Sequence, residues 1–247
     1  MAYTSFTGAS RFLQKLLLLF LLLRIGPASA QDQAYRTYIT RPEFRVPKAT
    51  IETYRPDQLS EGYWFIAPYP SLGRERQSWS WPVCPFGAHI IDGNGELVWG
   101  GACKFNSRNV FDFRVSRYRD KDYLSMTMLI GPSGEDETGV GLVLNNNYEV
   151  VRTVEITKNP REFNNHEFNM VNNGKSALVI TSEQKDVETP ELGFEGKSRI
   201  DFNRFLEIDV DTNRVIFNWT SEGHLHFDEC TEELLRHATT DGGWDYV

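Results

Sequence analysis

Short apolar runs, separated by segments rich in Asn, Asp and Gly, recur along the chain from Tyr63 onwards. Residues 167–219 contain four of them: one that leads into Asn172-Asn173-Gly174, then Ser176–Thr181, Phe205–Val210 and Arg214–Trp219. Runs of this length that are rich in β-branched and aromatic residues predict strands. The sequence therefore predicts four antiparallel strands in this stretch, which is the size of one β-propeller blade.

The segments between the runs indicate how the strands connect. Asn172-Asn173-Gly174 and Asp211-Thr212-Asn213 each lie between two runs. Asn and Gly adopt the positive φ angles of tight hairpins, so both segments predict turns. The longer segment Ser182–Asn203 is polar, and its charged residues surround Pro190 and Gly193. That segment predicts a solvated loop between two hairpins.

The same plan is present one unit earlier in the chain. Phe113 and Phe168 occupy equivalent places and lie 55 positions apart. The runs of the earlier unit are Phe113–Ser116, Tyr123–Met128, Gly141–Leu144 and Glu149–Val154. A third, poorer copy has one strand at Tyr63–Ala67 and a hairpin around Gly93-Asn94-Gly95. The pattern predicts a tandem array of four-stranded units.

The predicted fold class is all-β: a β-propeller-like array of four-stranded antiparallel blades, with about three blades present and an incomplete ring. Residues 241–247 are expected to begin a further unit. Because a ring closes with about four or more blades, the array is expected to be open, as in a truncated gene product. A β-sandwich with similar hairpins is the alternative fold.

The first 30 residues have the features of a secretory signal peptide. Arg11 and Lys15 precede the apolar run Leu16–Leu23 and give a positively charged segment. Ala28-Ser29-Ala30 has the small-residue pattern of a cleavage site. A run of this length spans about 12 Å as a helix, well short of a bilayer core of about 30 Å, and a signal anchor is the alternative. The predicted organisation of this secreted protein is a signal peptide (1–30), an extended arm (31–62) and a partial propeller domain (63–247).

The composition gives the mature protein an acidic surface. The formal net charge is −8, and loss of the signal segment, with its three basic residues and no acidic ones, takes it to −11. Such a surface repels phosphate backbones, which argues against nucleic acid as a partner. No later run is long and apolar enough to span a membrane. The unpaired edges of an open array predict self-association.

Covalent modifications are predicted at two places. A secreted chain with three cysteines is expected to pair two of them. Cys84 and Cys103 flank the hairpin around Gly93-Asn94-Gly95, so they are the predicted disulfide pair, and Cys230 would remain free. Asn218-Trp219-Thr220 is a sequon with a permissive middle residue, which predicts glycosylation at Asn218.

At His166-Glu167-Phe168, Phe205–Asp209 and Val215–Trp219 the chain resembles the fungal arylsulfotransferase-like family. Gly243-Trp244-Asp245-Tyr246 is similar to a further family motif, and the resemblance covers the chain from about Tyr63 to Val247. It implies a six-bladed β-propeller related to bacterial aryl sulfate sulfotransferases. Those enzymes move a sulfuryl group from one phenol ester to another phenol through a covalent histidine intermediate, without a nucleotide donor.

The resemblance implies roles for two histidines. His166 matches the family's His-Glu position, and His224 matches a histidine that follows the tryptophan-containing strand. In the family, further histidines and an arginine follow the Trp-Asp-Tyr motif, and the chain up to Val247 is expected to lack them. The implied ligand is a small phenol or aryl sulfate, and no cofactor is implied.

The residue types also suit this chemistry. A neutral imidazole can act as nucleophile, and a cation can bind the three sulfuryl oxygens. His166 precedes a strand that would start at the propeller channel, and Glu167 could orient its ring by accepting an N–H. A hydrogen-bonded structural histidine is the alternative. Phosphoryl transfer makes similar demands, so the residue types leave both reactions open.

The catalytic candidates are therefore His166, Glu167 and His224. If His224-Leu225-His226 formed a strand, both imidazole rings would lie on one face, as they do in metal sites. The only candidates nearby for a third ligand are Asp228 and Glu229. No metal is therefore predicted. Two alternatives to an arylsulfotransferase remain. One is a non-catalytic propeller that binds a ligand or partner, and the other is a truncated gene product.

Overall fold

The apolar runs form strands in the computed structural model of the protein, which describes residues 35–69, 84, 86–130, 139–156, 163–188, 197–229 and 244–245. Within those ranges the chain is all-β, with short 3-10 helices and no α-helix. The predicted signal peptide lies outside them. The strands are β1 (Tyr35–Thr37), β2 (Arg45–Pro47), β3 (Trp64–Ile66), β4 (His89–Ile91), β5 (Leu97–Gly100), β6 (Val110–Tyr118), β7 (Lys121–Leu129), β8 (Gly139–Leu144), β9 (Val150–Val154), β10 (Phe168–Val171), β11 (Ser176–Glu188), β12 (Lys197–Asp209), β13 (Val215–Thr220) and β14 (Trp244–Asp245).

The strands form an N-terminal hairpin and three larger sheets. The hairpin pairs β1 with β2, and the sheets have the orders β3-β4-β5 (sheet I), β6-β7-β8-β9 (sheet II) and β10-β11-β12-β13 (sheet III). All these neighbours are antiparallel. The prediction of an all-β fold of antiparallel strands is therefore confirmed. The described residues form no closed ring of sheets.

The last hairpins of the three sheets are built alike, although the turn of sheet III is one residue longer. The turn begins at Asp92 in sheet I, Asn145 in sheet II and Asp209 in sheet III, and the N–H of each donates at 2.9 Å to a carbonyl across the turn. The Oδ1 atom of each also accepts backbone N–H groups of its turn. A register shift immediately precedes each of the three residues. By this correspondence β3 is the equivalent of β7 and β11, and the described part of sheet I has no counterpart of β6 and β10.

The first strands of sheets II and III, β6 and β10, lie side by side. The N–H of Phe168 donates to Oδ2 of Asp112 at 2.8 Å, and the N–H of Arg119 donates to the carbonyl of Asn173 at 3.1 Å. Because the contacts advance along both strands together, β6 and β10 run in the same direction.

Sheet II is covered on both faces, which explains why all six residues of β8 are buried. Leu142 and Leu144 belong to the apolar cluster shared with sheet I. Val143, between them, belongs to the cluster shared with sheet III, which includes Phe168. Alternate residues of a strand point to opposite faces, so a strand between two apolar layers needs a continuous apolar run.

The polar segment 182–203 is a strand ribbon over most of its length, which corrects the predicted loop. β11 continues to Glu188 and β12 begins at Lys197, and the two strands pair residue by residue. From Ser182 to Glu188, exposed and half-buried positions alternate along β11. Because water reaches the ribbon, the side chains of these strands can be polar, and no apolar run marks them in the sequence.

Trp244–Asp245 does not begin a further sheet within the described ranges, which differs from the prediction. It forms β14, which pairs in parallel with Ile200 and Asp201 of β12. β13 pairs with β12 only from Arg204 onwards. The part of β12 that contains Ile200 is therefore available to pair with β14.

The predicted arm, residues 31–62, includes the N-terminal hairpin and is attached to sheet I. Val46 in β2 is buried at 1% exposure. Phe44 bridges to Cys84, and Cys84 forms a disulfide with Cys103, their Cα atoms being 5.0 Å apart. The predicted disulfide is therefore present, and it connects the segment beside the hairpin to the residues that follow β5.

Candidate functional site

His166 lies in a turn two residues before β10, and its side chain is exposed. The two residues that precede the histidine are held by other strands. The N–H of Asn164 donates to the carbonyl of Ile180 at 3.1 Å, and the Thr127 hydroxyl donates to the carbonyl of Asn165. Asn165 is itself buried at 3% exposure. An anchored backbone therefore presents the imidazole at the surface.

Asn164 determines which nitrogen of His166 carries the proton. Its Oδ1 accepts the backbone N–H of His166 at 2.8 Å and lies 2.8 Å from the ring Nδ1. Because a backbone N–H can only donate, the shared atom of Asn164 is its oxygen, and Nδ1 must carry a proton to bond to it. The neutral ring therefore has its lone pair on Nε2.

One aromatic ring from another part of the chain adjoins His166, and a second ring packs against the first. Phe111, at the start of β6, has its ring centroid 5.4 Å from the imidazole, and Tyr69, which follows β3, is 5.0 Å from Phe111. Residues associated with all three sheets therefore meet here. The result is an aromatic cluster beside the imidazole, in which Phe111 is buried and Tyr69 is exposed.

A cation and two carboxylates lie where β6 adjoins the start of β10. Nη2 of Arg114 pairs with Asp112 and is 3.4 Å from Oε1 of Glu167. Nε of Arg114 has no hydrogen-bond partner within the described residues. Oδ2 of Asp112 also accepts the N–H of Phe168. The guanidinium is therefore shared between an acid from β6 and an acid adjoining β10.

The backbone of β6 is distorted where it supplies these groups. The pairing of β6 with β7 shifts between Phe111 and Arg114, and Asp112 has a φ of +49°. A bulge of this kind redirects side chains, and a positive φ at a residue other than glycine indicates local strain. The bulge brings the Asp112 carboxylate to the first N–H of β10.

Several residues of the site were not predicted from the sequence. They are Asn164, Arg114, Asp112, Phe111 and Tyr69. Asp112 had a detectable signal, because aspartate is unfavourable inside an apolar run such as Phe111-Asp112-Phe113. Tyr69 had none, because its contact depends on how the segment after β3 packs against β6.

Glu167 adjoins His166 in sequence but bonds elsewhere. Its nearest described partner is Arg114. The predicted orienting role belongs to Asn164, which occupies Nδ1 of His166. Glu167 therefore does not hold the imidazole ring. Its carboxylate contributes a negative charge close to His166 in the chain.

His224 is not brought to His166. It follows β13, its Nδ1 lies 2.8 Å from the carbonyl of Thr220, and its ring is 5.5 Å from Trp219. Both histidines lie near the same end of sheet III, but β10 and β13 are three strand spacings apart, which is about 14 Å. His224 therefore lies at the opposite edge of sheet III.

The remaining predicted features also lie near β13. His224-Leu225-His226 is in turns and not on a strand, so the strand geometry considered for a metal pair is not present. In the described part of the chain, no three His, Cys, Asp or Glu side chains gather as a metal site requires. Asn218 is exposed on β13, where a glycan would have access to it.

The fold and the site define an all-β protein of antiparallel sheets, with an oriented histidine beside an arginine–carboxylate cluster. No family model, curated protein or solved structure matches the chain. Within the described ranges, no helix is long and apolar enough to cross a membrane.

Proposed function

We propose that this protein is a secreted, arylsulfotransferase-like β-propeller protein in which His166 carries a sulfuryl group from one phenol to another. The main support is the bond between Asn164 and His166, because it leaves the Nε2 lone pair available as a nucleophile. The exposed ring of Tyr69, which packs on Phe111, offers an aryl ester a surface on which to stack.

Two features of the fold support the propeller arrangement. β6 and β10 lie side by side and run in the same direction, as the innermost strands of neighbouring blades do. The last hairpins of sheets I and II repeat one turn geometry, and that of sheet III is a variant one residue longer, as in a tandem repeat. In such an arrangement, the start of β10 and therefore His166 lie near the central channel.

The proposed transfer has two steps. Nε2 of His166 attacks the sulfur of an aryl sulfate, an N–S bond forms, and the S–O bond to the aryl group breaks to release a phenolate. The acceptor phenol then attacks the sulfur, the N–S bond breaks, and the acceptor's proton passes to the released phenolate. Positive charge develops on the imidazole in the first step, and Asn164 stabilises it by accepting a stronger bond from Nδ1.

Arg114 is the proposed cation for the sulfuryl oxygens. Of its two carboxylate contacts, the one to Glu167 is the longer, at 3.4 Å. We expect a bound sulfate to replace Glu167 beside the guanidinium, while Asp112 keeps its place between β6 and β10. Arginine suits this task because its planar donors match the oxygens of a tetrahedral anion.

Acceptor-dependent release of 4-nitrophenol from 4-nitrophenyl sulfate tests the proposal. His166→Ala should abolish the transfer, and Arg114→Gln should raise KM more than it lowers kcat. His226→Ala, which changes an exposed histidine near β13, is the matched control and should leave the rate unchanged. If the wild-type protein releases no more nitrophenol than the boiled protein, the catalytic proposal is wrong.

The orientation of His166 can be measured without activity. Long-range ¹⁵N–¹H NMR spectra should show a protonated Nδ1 and an unprotonated Nε2 in the neutral ring. Asn164→Ala should remove this preference without unfolding the protein. A wild-type ring with its proton on Nε2 would contradict the assignment and with it the proposed nucleophile.

A non-catalytic binding propeller is the second candidate, and one observation favours it. The cluster beside His166 holds two carboxylates for one guanidinium, so its charge opposes an incoming sulfate. This candidate predicts a folded protein without transferase activity, in which His166→Ala leaves ligand binding intact.

A further inference from the structure

A groove with a volume of about 350 Å³ opens between sheets I and II. It shares no lining residue with the site around His166. Its walls come from β3, β4 and β5 on one side and from the hairpins β6–β7 and β8–β9 on the other. A volume of this size falls within the usual range of small-molecule sites.

The aromatic walls of the groove are held in place from behind. Tyr148 has a φ of +61°, its N–H donates to the carbonyl of Asn145 at 2.9 Å, and its ring stacks on Trp99 at 4.5 Å and 10°. On the opposite side, Phe65 meets the edge of Phe113 at 5.4 Å. Rings fixed in this way lose little conformational entropy when a ligand binds.

The groove is lined by both apolar and polar groups. Ile90 and Leu124, which are 6% and 9% exposed, provide an aliphatic interior. Asp122 is a charged group of the lining, and its side chain is 70% exposed. Nη1 of Arg117 donates to its Oδ1 at 2.8 Å, which fixes the carboxylate and leaves Oδ2 without a described partner.

We propose that this groove binds a small neutral hydroxyarene, with its ring between Phe65 and Tyr148 and its hydroxyl donating to Oδ2 of Asp122. A flat aromatic ring matches the aromatic walls and buries its apolar edge against Ile90 and Leu124. The hydroxyl remains beside the acceptor, so no polar group of the ligand is left unpaired.

Two other ligand classes fit less well. A sugar ring carries hydroxyls around its whole edge, and those that met Ile90 or Leu124 would lose hydrogen bonds to water without replacement. An aryl sulfate would place its anion beside Asp122, while the nearby Arg117 is already paired with that carboxylate. The charge of the lining therefore favours the free phenol over its sulfate ester.

The proposed groove site does not rest on the proposed transferase function. Binding at the groove can be present in a protein with no activity, and His166 contributes nothing to it. A failure of the transferase assay therefore leaves this proposal intact, and a failure of groove binding leaves the transferase proposal intact.

Isothermal titration of the full chain with 2-naphthol tests the groove site. We expect saturable binding with a Kd of about 0.1 mM, as is usual for a ligand of this size. Val115→Phe places a ring in the groove from a half-exposed strand position, so it should weaken binding at least tenfold without unfolding the protein. Tyr148→Ala should also weaken binding about tenfold, and Asp122→Asn should weaken it several-fold.

Matched controls distinguish the groove from other surfaces. Tyr54→Ala removes a ring that is 84% exposed and lies outside the groove, and His166→Ala alters the other site. Both should bind 2-naphthol like the wild type, and 2-naphthyl sulfate should bind wild type at least tenfold more weakly than 2-naphthol. No saturable binding, unchanged binding in Val115→Phe, or tighter binding of methyl glucoside or of the sulfate would each overturn the proposal.

Discussion

The hydroxyl of Tyr118 donates a hydrogen bond of 3.0 Å to Oδ1 of Asp211, and this bond joins sheet II to sheet III. Asp211 lies in the turn between β12 and β13, and its carboxylate also binds Arg119 and Arg152. Arg152 and Arg119 hold the pKa of Asp211 below its ordinary value. Burial, and next the bond to Asp211, raise the pKa of Tyr118. One carboxylate of sheet III thus gathers three donors of sheet II.

Asp211→Asn should lower the stability of the protein by about 1 kcal/mol at pH 7, because the carboxylate is half-exposed and its ion pairs are partly screened. The lowered pKa means that the folded state favours the charged carboxylate. The contribution is therefore complete above the ordinary Asp pKa of about 4 and is lost as the pH falls further. Urea unfolding at pH 7 and at pH 3 should show a difference between wild type and variant that shrinks on acidification.

Asp122→Asn is the control for this measurement. Its ion pair with Arg117 is contained within the β6–β7 hairpin and is more exposed, so its loss should change stability by less than about 0.5 kcal/mol at either pH. An equal effect of the two variants would show that the contact between sheets adds nothing.

Gly174→Ala should destabilise the protein by about 3 kcal/mol. Gly174 has a φ of +75°, and an added Cβ would lie 2.8 Å from the carbonyl oxygen of Arg117 and 2.6 Å from the ring of Tyr118. Both the backbone conformation and the close approach of the β6–β7 hairpin oppose a side chain. Gly93→Ala has open space around its Cβ and should be nearly neutral in the same thermal and urea unfolding measurements.

Gly141 and Phe168 should be energetically coupled. A Cβ at Gly141 would lie 2.5 Å from the Phe168 ring, which is fully buried between sheets II and III. Gly141→Ala should cost about 1–3 kcal/mol through overpacking, and Phe168→Leu should cost a similar amount through lost contact. The double variant should be destabilised by at least about 1 kcal/mol less than the sum of the two single-variant destabilisations. Additive effects in a double-mutant cycle would contradict the packing.

β13 should promote self-association. It is an edge strand within the described sheet, and its residues Val215, Ile216 and Phe217 are 40–49% exposed. Edge strands without charges pair readily with other chains. Phe217→Lys should reduce the concentration-dependent mass measured by light scattering after size exclusion, and Tyr54→Lys, at an exposed position outside the strands, should not. A wild-type protein that stays monomeric at all concentrations would rule out this role.

The sequence predicted the strands that have a buried face. β8 was evident because Gly141–Leu144 is apolar throughout, and apolar clusters shared with sheets I and III cover it on both sides. The turns at Asn172-Asn173-Gly174 and Asp211-Thr212-Asn213 were evident because they contain the residue types that tolerate positive φ, and Asn172, Asn173, Gly174 and Asn213 adopt it. The pairing of Cys84 with Cys103 was also predicted correctly, from the hairpin between them.

Only the tertiary structure showed what depends on contacts between sheets. The ribbon at 182–188 and 197–203 has no continuous apolar run, so its strands appear only in the pairing of β11 with β12. The candidate site was predicted at His166, but its partners come from β6 and from the segment after β3, and their meeting is set by sheet packing. Local sequence specifies φ angles and buried faces, whereas the distance between side chains on different sheets is decided by the whole core. For the same reason His166 and His224, both suggested by the sequence, lie at opposite edges of sheet III.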